Sequence, residues 1–266
     1  MELNVLGGSG FIGGRFCELI PNTIKNDRND YEVKTNDVVY FISTIDNYNI
    51  HTDPYLDIET NLTTLIKTLE SCKGKDVTFN FISSWFVYGG DNVSPLKETS
   101  RCDAKGFYSA TKRAAEQLLI TYCETFNITY RILRVGNVLG EQDKKVSSKK
   151  NVVQYMISLL KKDEPIKLYN GGNLIRDYIY IDDLVEAINL IVTKGELNSI
   201  YNVSTGIPSV LGDVIKFAAK KLKSNSTIEI VDPDSSWGGN YLDISKLKSL
   251  GFVPKYTIND ILDRLI

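Results

Sequence analysis

Histidine is almost missing from this sequence: His51 is the only one in 266 residues. This scarcity excludes mechanisms that need two histidines and any metal site rich in histidine. The cysteines Cys17, Cys72, Cys102 and Cys123 are scattered and form no Cys-x-x-Cys pair. Such spacing is typical of unpaired thiols in a reducing compartment, so we expect a cytoplasmic protein without structural disulfides.

The sequence also lacks an excess of charge of either sign and any long apolar run. Its 31 basic and 33 acidic residues give a formal net charge of -2 and an isoelectric point near 5.6. This balance provides no electrostatic argument for binding a nucleic acid or a membrane surface. There is no run of about 18 apolar residues and no basic region before a hydrophobic stretch, so neither a membrane span nor a signal peptide is predicted.

The N-terminal stretch has the pattern of a strand, a glycine turn and a helix. Both Gly8-x-Gly10-x-x-Gly13 and Gly7-x-x-Gly10-x-x-Gly13 are spacings of dinucleotide sites, and the apolar run before them predicts a buried parallel strand. A Cβ at these positions would block the tight turn and the approach of a pyrophosphate to the free N–H groups of the helix. The stretch therefore predicts a dinucleotide site.

Asp27 follows the glycines at about the offset of 20 residues at which a carboxylate accepts from the adenosine ribose hydroxyls. It ends a short strand predicted at 23–27, although an aspartate in a turn beside Asn26 and Asn29 is an alternative. The adjacent Arg28 could instead hold the 2′-phosphate of NADP. We expect NAD as the cofactor, with NADP as the alternative.

Strands and helices alternate along most of the sequence. Apolar runs predict strands at 37–43, 77–82, 129–135, 166–169 and 200–203, with a weak strand at Tyr31 and Val33. Helical spacing of apolar residues predicts helices at 58–69, 108–126, 152–161, 183–192 and 214–222. This order predicts an α/β fold: a Rossmann-type doubly wound parallel sheet with a small α/β C-terminal substrate-binding lobe. We place the dinucleotide-binding domain at 1–150 and the lobe mainly at 151–266, interleaved with the sheet.

A tyrosine and a lysine lie one helical turn apart in the segment Tyr108-Ser109-Ala110-Thr111-Lys112. Residues at i and i+4 share a face of a helix, so the ammonium is expected close to the phenol. A nearby positive charge lowers the pKa of a phenol from about 10, and such a phenol exchanges protons with an alcohol during hydride transfer. Ser84 follows a predicted central strand at its carboxyl end, where it could hydrogen-bond the same substrate oxygen.

With these residues, the chain resembles the extended short-chain dehydrogenases/reductases, and within them the NAD-dependent epimerase/dehydratase family that acts on nucleotide sugars. The resemblance covers nearly the whole length and is carried by motifs in the family's order. These are Gly7–Gly13, Asp53-Pro54 with Glu59-Thr60-Asn61, Ser83–Gly89, Tyr108 with Lys112, Leu133–Gly140, Arg176–Asp183, Tyr201–Gly206 and Asp243–Phe252.

The resemblance implies roles for the matching residues. Tyr108 is the general acid or base, Lys112 holds the nicotinamide ribose, and Ser84, four residues before Tyr88, orients the substrate oxygen. Asn61 anchors a water or the backbone near the site, unless it only bonds its own helix. The candidate cofactor contacts are Gly7, Gly10, Phe11, Ile12, Gly13, Asp27, Arg28, Ser43, Tyr108, Lys112 and Val135, and the candidate substrate contacts are Ser84, Trp85, Asn137, Tyr169 and Arg176.

The expected substrate is a nucleotide-diphosphate sugar, with Asn137 and Arg176 at its diphosphate. Arg134 is either part of the site or a structural ion pair, and Asp182 or Asp183 is expected to cap a helix. The resemblance also implies a homodimer through the helices that hold Asn61 and Tyr108.

Departures from the family narrow the expected reaction. Dehydratases of the family have Asp-Glu after the catalytic residue, whereas Trp85 and Phe86 follow Ser84 and cannot transfer protons. Members that also epimerise C3 and C5 have a cysteine and a histidine where this chain has Phe86 and Gln142. Hydride transfer at a ring carbon remains, with C4 expected, in either a 4-epimerase or a 4-ketoreductase. The alternatives are a non-catalytic dinucleotide-binding regulator and a reductase of a carbonyl compound that is not a sugar.

Three segments carry further expectations. The chain is short between Asp27 and Asp37, which predicts an abbreviated adenine side and weaker cofactor binding. The composition of 141–150 predicts a mobile solvated loop. The segment 233–240 lacks an arginine that many members of the family use for the diphosphate, so Arg176 would bind more of that anion.

Overall fold

The computed structural model describes residues 2–44, 48–90, 94–143, 151–232 and 238–266. Its strands are β1 (Leu3–Leu6), β2 (Thr23–Lys25), β3 (Asp37–Tyr40), β4 (Thr78–Ser84), β5 (Thr129–Val135), β6 (Asn137–Leu139), β7 (Ile166–Leu168), β8 (Ile175–Tyr180), β9 (Ser199–Val203), β10 (Pro208–Val210) and β11 (Ile228–Ile230). Its helices are α1 (Phe11–Leu19), α2 (Pro54–Ile58), α3 (Thr64–Cys72), α4 (Phe107–Phe126), α5 (Val152–Leu160), α6 (Ile181–Lys194), α7 (Leu211–Leu222), α8 (Ser245–Ser249) and α9 (Ile258–Leu265). A π-helical turn at Glu59–Thr63 joins α2 to α3, and 3₁₀ turns lie at Asn49–His51, Trp85–Tyr88 and Asn170–Gly172.

In the described part of the chain, six strands form a central sheet in the order β2-β1-β3-β4-β5-β9. Every neighbouring pair in this sheet is parallel. The strands are apolar along most of their length because a parallel sheet covered on both faces hides all of its side chains. The predicted doubly wound α/β fold is confirmed.

Helices cover both faces of the central sheet. On one face, Phe16 of α1 and Ile188 of α6 join a core that includes Leu133 of β5. On the other face, Leu119 of α4 joins a second core that includes Ile132, the preceding residue of the same strand. The carboxyl ends of β1, β3, β4 and β5 meet at one edge of the sheet, where open α/β sheets bind their ligands.

The weak strand predicted at Tyr31 and Val33 is wrong: residues 26–36 form neither strand nor helix. The buried side chain of Asn4 holds this segment by hydrogen bonds near both of its ends. Its Nδ2 donates to Asn26 Oδ1 at 2.6 Å, and its Oδ1 accepts from the Lys34 backbone N–H at 2.9 Å. A segment this short and locally bonded connects β2 directly to β3, and β2 ends two residues earlier than predicted.

The C-terminal half of the chain forms two small sheets. In one, β8 lies between β6 and β10, and in the other β7 pairs with β11. A third core holds Leu139, Ile157 and Leu168. Strand β6 precedes the expected boundary at residue 150 yet pairs with β8, whereas β9 follows that boundary yet completes the central sheet beside β5. The two expected units are therefore interleaved.

The cysteines Cys17, Cys72, Cys102 and Cys123 are all free thiols. Across the residues that the structure covers, no helix has the length and apolarity needed to cross a membrane. Nor do three or more metal-binding side chains meet within these residues.

Candidate active site

A cavity of about 530 Å³ opens at the carboxyl edge of the central sheet. Its wall contains most of the candidate site residues from the sequence. These are Gly7, Gly10, Phe11, Ile12, Gly13, Ser43, Ser84, Trp85, Tyr108, Lys112, Val135, Asn137 and Arg176. They come from separate parts of the chain because the loops after β1, β3, β4 and β5 converge there. Seven residues that were not candidates from the sequence also line this cavity: Phe41, Thr44, Tyr48, Phe86, Asp143, Asn151 and Tyr178.

The glycine turn between β1 and α1 forms one end of this wall. Gly7 has a φ of +81°, and the Gly10 N–H donates to the Gly7 carbonyl at 3.0 Å. A Cβ on Gly13 would lie 2.4 Å from that carbonyl oxygen, so only glycine allows α1 to approach the turn so closely. The first turn of α1 has no acidic residue and no side-chain cap. Its N–H groups and the positive end of its dipole therefore fit the pyrophosphate of a dinucleotide.

Tyr108 and Lys112 lie on the first two turns of α4 and face the cavity. Ser43 and Ser84 line the cavity together with Tyr108, and their hydroxyls oppose a rise in the pKa of its phenol. Ser43 follows β3 and Ser84 ends β4, so two neighbouring strands deliver these hydroxyls to the same phenol. The arrangement can hold a substrate oxygen and exchange a proton with it.

The expectation that Lys112 lowers the pKa of Tyr108 is wrong for this structure. Burial in the cavity wall raises the pKa of Tyr108 because a phenolate there would lose its hydration. The hydroxyls of Ser43 and Ser84 oppose this rise, and the Asp57 carboxylate adds to it. The phenol is therefore protonated at neutral pH and is set to donate.

The Lys112 amine is instead directed at the backbone of β4. Its Nζ donates to the Ile82 carbonyl at 2.7 Å and lies 4.2 Å from the centroid of the Phe81 ring. Burial lowers the pKa of Lys112 to about 7, although the charge of Glu116 opposes this fall. Lys112 therefore changes between its charged and neutral forms near neutral pH.

Asn61 connects the loop after β3 to the helix that carries Tyr108. Its Oδ1 accepts from the Thr44 backbone N–H at 3.0 Å and from Ser43 Oγ at 3.1 Å, and its Nδ2 donates to Thr111 Oγ1 at 3.0 Å. Asn61 lies in the π-helical turn, which interrupts the helix predicted at 58–69. Its amide thus bonds residues outside its own helix and holds Ser43 close to the phenol.

Arg134 forms a structural ion pair behind the cavity, one of the two roles that the sequence left open. Its Nε and Nη2 donate to the two carboxylate oxygens of Glu116 at 3.0 and 2.8 Å, and both side chains are buried. Ser83 Oγ donates to the same carboxylate at 2.6 Å. Burial alone would raise the pKa of Glu116, but hydrogen bonds from Arg134, Ser83 and Arg113 lower it below its usual value. The pair ties α4 to β4 and β5.

The side opposite the glycine turn combines aromatic rings with a guanidinium. The 3₁₀ turn after Ser84 presents Trp85 and Phe86 to the cavity. The Arg176 guanidinium lies 5.1 Å from the centroid of the Trp85 ring, and burial lowers its pKa, although an arginine side chain stays charged. Asn137 Nδ2 donates to the Asp177 carbonyl at 3.1 Å. This part of the wall can bind an anion.

Some expected residues do not reach the cavity. Asp27 and Arg28 are exposed beyond β2, the edge strand of the central sheet, and Tyr169 is 60% exposed after β7. None of the three lines the cavity wall. Tyr169 therefore lies outside the cavity wall, and its contact with a substrate stays a prediction. The two residues after β2 also lie outside the wall that holds the glycine turn.

The helix cap predicted at Asp182 or Asp183 is also wrong. Helix α6 begins at Ile181, so both aspartates lie in its first turn. Asp182 accepts from Arg15 at 2.7 Å, and Asp183 accepts from the backbone N–H of Tyr256 at 3.1 Å. These carboxylates connect α6 to α1 and to the chain before α9.

Some of the cavity residues that were not candidates from the sequence follow a predicted strand, and others lie in loops. Phe41 and Thr44 follow β3, so the end of that predicted strand was a usable signal. Tyr48, Asp143 and Asn151 lie in loops, where no apolar period marks a position. Most of the loop expected at 141–150, and residues 233–237 of the segment without arginine, lie outside the described residues.

Comparisons with known proteins agree with this architecture. The sequence model of the NAD dependent epimerase/dehydratase family matches residues 31–204 of this chain. A putative UDP-glucose 4-epimerase of Methanocaldococcus jannaschii is 26% identical, with 98% of this chain and 96% of the relative covered. The low-salt glycan biosynthesis protein Agl12 of Haloferax volcanii is 23% identical over all of this chain and 97% of its own.

The solved structures support the fold alone, because their sequence identities are low. The UDP-glucose 4-epimerase of Thermotoga maritima, solved with UDP-glucose, superposes with a TM-score of 0.87 at 22% identity and covers 100% of this chain and 97% of its own. RMD from Pseudomonas aeruginosa, solved with NADPH, gives 0.86 at 20% identity with the same coverage.

Proposed function

Because this chain belongs to the NAD-dependent epimerase/dehydratase family, we propose that it is an enzyme that transfers hydride at C4 of a nucleotide-linked sugar. The observation that carries the proposal is the cavity wall, which brings Tyr108 together with Ser84 from the end of β4 and with Lys112 from the next helical turn. The reaction is either a 4-epimerisation or the reduction of a 4-keto sugar. Trp85 and Phe86, which cannot exchange protons, argue against loss of water from the sugar.

The family is NAD-dependent, and the glycine turn fits a dinucleotide. Gly7, Gly10 and Gly13 leave room for the pyrophosphate, whose charge the N–H groups of α1 bind. Ser43 and Lys112, which line the cavity near Tyr108, hold the nicotinamide half. When bound, NAD supplies the hydride donor or acceptor for the sugar carbon. NADP is the alternative that Arg28 leaves open.

The chain's own residues bind the reacting oxygen and move its proton. Ser84 hydrogen-bonds the sugar oxygen, and Tyr108 gives it a proton on reduction or takes one on oxidation. Asn61 keeps Ser43 in place beside the phenol throughout.

The substrate carries an anionic group, which binds the charged guanidinium in the cavity wall. Arg176 is half-buried there beside Asn137, and a guanidinium suits the oxyanions of a diphosphate. A neutral carbonyl compound would not engage that charge. UDP-sugars are the first candidates, because the relatives include a putative UDP-glucose 4-epimerase.

The proposed function is tested with a panel of UDP-, GDP-, CDP- and dTDP-sugars in the presence of NAD or NADP, and with their 4-keto counterparts in the presence of NADH or NADPH. We expect at least one sugar nucleotide to be converted at C4, as followed by chromatography and NMR of the product. We also expect its nucleoside diphosphate to raise the Tm, since a ligand at 100 times its Kd stabilises a protein by about 2.7 kcal/mol.

Two other outcomes would replace this proposal. Stabilisation by NAD with no turnover of any sugar nucleotide, together with dinucleotide-dependent binding of a partner, would indicate a regulator. Turnover of a small carbonyl compound that none of the four nucleoside diphosphates inhibits would indicate a reductase of another substrate class.

We also propose a homodimer through the helices that hold Asn61 and Tyr108, as the family resemblance implies; the first runs from α2 through the π-helical turn into α3, and the second is α4. These two helices pack together, and their outer surface exposes Tyr55, Leu56, Ile58 and Leu118. Tyr55 is 72% exposed, and such an apolar surface is typical of an interface.

Leu118→Lys is expected to convert a dimer into a monomer, because it places a charge on the exposed apolar side of α4. Analytical ultracentrifugation at micromolar concentrations measures the change. Val253→Lys is the control, since Val253 is 70% exposed on another part of the surface. A wild-type chain that sediments as a monomer at every concentration would contradict the dimer.

The free thiols support a cytoplasmic location, which we propose as well. A chain whose cysteines are all unpaired needs no oxidising compartment for its stability.

A further inference from the structure

Two aromatic side chains stand beside the reacting hydroxyl: Trp85 and Phe86, which we call the aromatic wall. Their ring centroids are 4.6 Å apart, with 25° between the ring planes. Phe86 also meets Tyr108 edge to face, with 6.4 Å between the ring centroids and 87° between the planes. Both rings of the wall line the cavity. Anything that Tyr108 protonates therefore lies close to an apolar surface.

The aromatic wall is held firmly in place. Trp85 is only 4% exposed and belongs to the core that includes Val87. Ser84 Oγ accepts from the Phe86 backbone N–H at 3.3 Å, so the serine proposed to bind the reacting oxygen also positions the wall. Arg176 lies over the Trp85 ring at 5.1 Å. The wall is thus a rigid part of the cavity between the proton donor and the proposed anion site.

The chemistry of these rings decides which groups can lie against them. A phenyl ring makes no ordinary hydrogen bond, and an indole has a single N–H donor. A hydroxyl pressed against the wall would lose its water without an equivalent partner, which costs free energy. A methyl group gains free energy in the same place because its apolar surface is buried.

The proposed function determines which group of the sugar reaches the wall. With the oxygen of C4 at Tyr108 and Ser84, the groups on the neighbouring ring carbons lie beside the reacting centre. C3 of a hexose carries a hydroxyl, whereas C5 carries C6, which is a hydroxymethyl group in a hexose and a methyl group in a 6-deoxyhexose. The orientation that satisfies the wall therefore directs C6 towards it.

We propose that the substrate sugar is a 6-deoxyhexose, whose C6 methyl group packs against the aromatic wall. This inference rests on the proposed function at C4 and names its substrate class. It explains why two large aromatic residues follow Ser84, where a sugar with a C6 hydroxyl would need a hydrogen-bonding partner.

The test compares matched pairs of nucleoside-diphosphate sugars that differ only by the oxygen on C6. Each pair consists of a hexose and its 6-deoxy counterpart on the same nucleotide, assayed as sugars with NAD or NADP and as 4-keto sugars with NADH or NADPH. We expect kcat/KM to favour the 6-deoxy member by about 10- to 100-fold, the range in which an apolar pocket rejects an added hydroxyl. Equal kcat/KM values, or a preference for the hexose, would overturn the proposal.

Two substitutions at Phe86 separate polarity from packing. Phe86→Ser provides a hydroxyl partner and space, so the preference is expected to fall to about threefold or less. Phe86→Leu keeps an apolar surface and is expected to retain most of the preference. Phe217→Ser is the control, because Phe217 is 39% exposed on α7 and is not among the residues that line the cavity. Loss of the preference to the same extent in Phe86→Leu and Phe86→Ser would overturn the proposal.

The assay also distinguishes failure of this inference from failure of the proposed function. Conversion of a hexose and its 6-deoxy counterpart at equal rates supports the C4 function and rejects the aromatic-wall inference. If no pair is converted, the C4 function fails. The Tm shifts of the wild-type protein with the two members of each pair are then compared to test the inference on C6. A larger shift with the 6-deoxy member supports an apolar wall for that methyl group, and equal shifts reject it.

Discussion

Tyr108→Phe is expected to lower kcat by about 10²- to 10⁴-fold, the range in which general acid–base catalysis contributes. The substitution removes only the hydroxyl, so the ring and its edge-to-face contact with Phe86 remain. Binding should persist, because the glycine turn and Arg176 are untouched. The Tm shift with NAD and with a nucleoside diphosphate should therefore equal that of wild type.

Tyr122→Phe provides the matched control on the same helix. Its hydroxyl contacts the surface carboxylate of Glu70 and lies away from the cavity. This control variant should keep wild-type kcat. A Tyr108→Phe enzyme with unchanged kcat would show that another group carries the proton, and a variant that loses the NAD shift would show that the phenol also binds the cofactor.

Arg134→Met is expected to lower the free energy of unfolding by about 3–5 kcal/mol. This is the cost of removing one partner of a buried ion pair and leaving the other charge buried without it. Glu116 is fully buried, so the substitution leaves its carboxylate with the hydroxyl of Ser83 and the partly exposed Arg113. Chemical denaturation followed by fluorescence or circular dichroism measures the change.

Two comparisons test the cause of this loss. Arg134→Met combined with Glu116→Gln removes both charges and should recover about 1–3 kcal/mol of the loss, because no uncompensated charge stays buried. Arg101→Met removes an arginine that is 82% exposed and lies 3.9 Å from Asp103, and it should change the free energy of unfolding by less than about 1 kcal/mol. A loss in Arg134→Met as small as that in Arg101→Met would contradict the structural role of the pair.

Features that depend on neighbouring residues were predictable from the sequence. The glycine spacing after an apolar run predicted the turn before α1, and the spacing of Tyr108 and Lys112 placed both on one helix face. These predictions succeed because the period of a helix and the steric demands of a tight turn act over a few residues. Ser84 was found in the same way, as the polar end of an apolar strand.

Features that depend on distant residues were not predictable from spacing. The segment after β3 reaches the cavity because β3 lies between β1 and β4 in the sheet, an order that a single sequence does not display. Asp27 follows the glycines at the right offset yet lies exposed, because β2 is a short edge strand. Arg134 could be assigned to its ion pair only when Glu116 was seen to lie beside it.

The sequence alone determined that this chain forms a doubly wound α/β fold with a glycine turn for a dinucleotide and a tyrosine–lysine pair on one helix. Those features follow from local geometry and apolar periodicity. The tertiary structure alone decided the protonation of Tyr108, the direction of the Lys112 amine and the position of the aromatic wall. Each of these depends on burial and on charges brought from other strands, since desolvation is a property of the packed molecule and not of the spacing of residues.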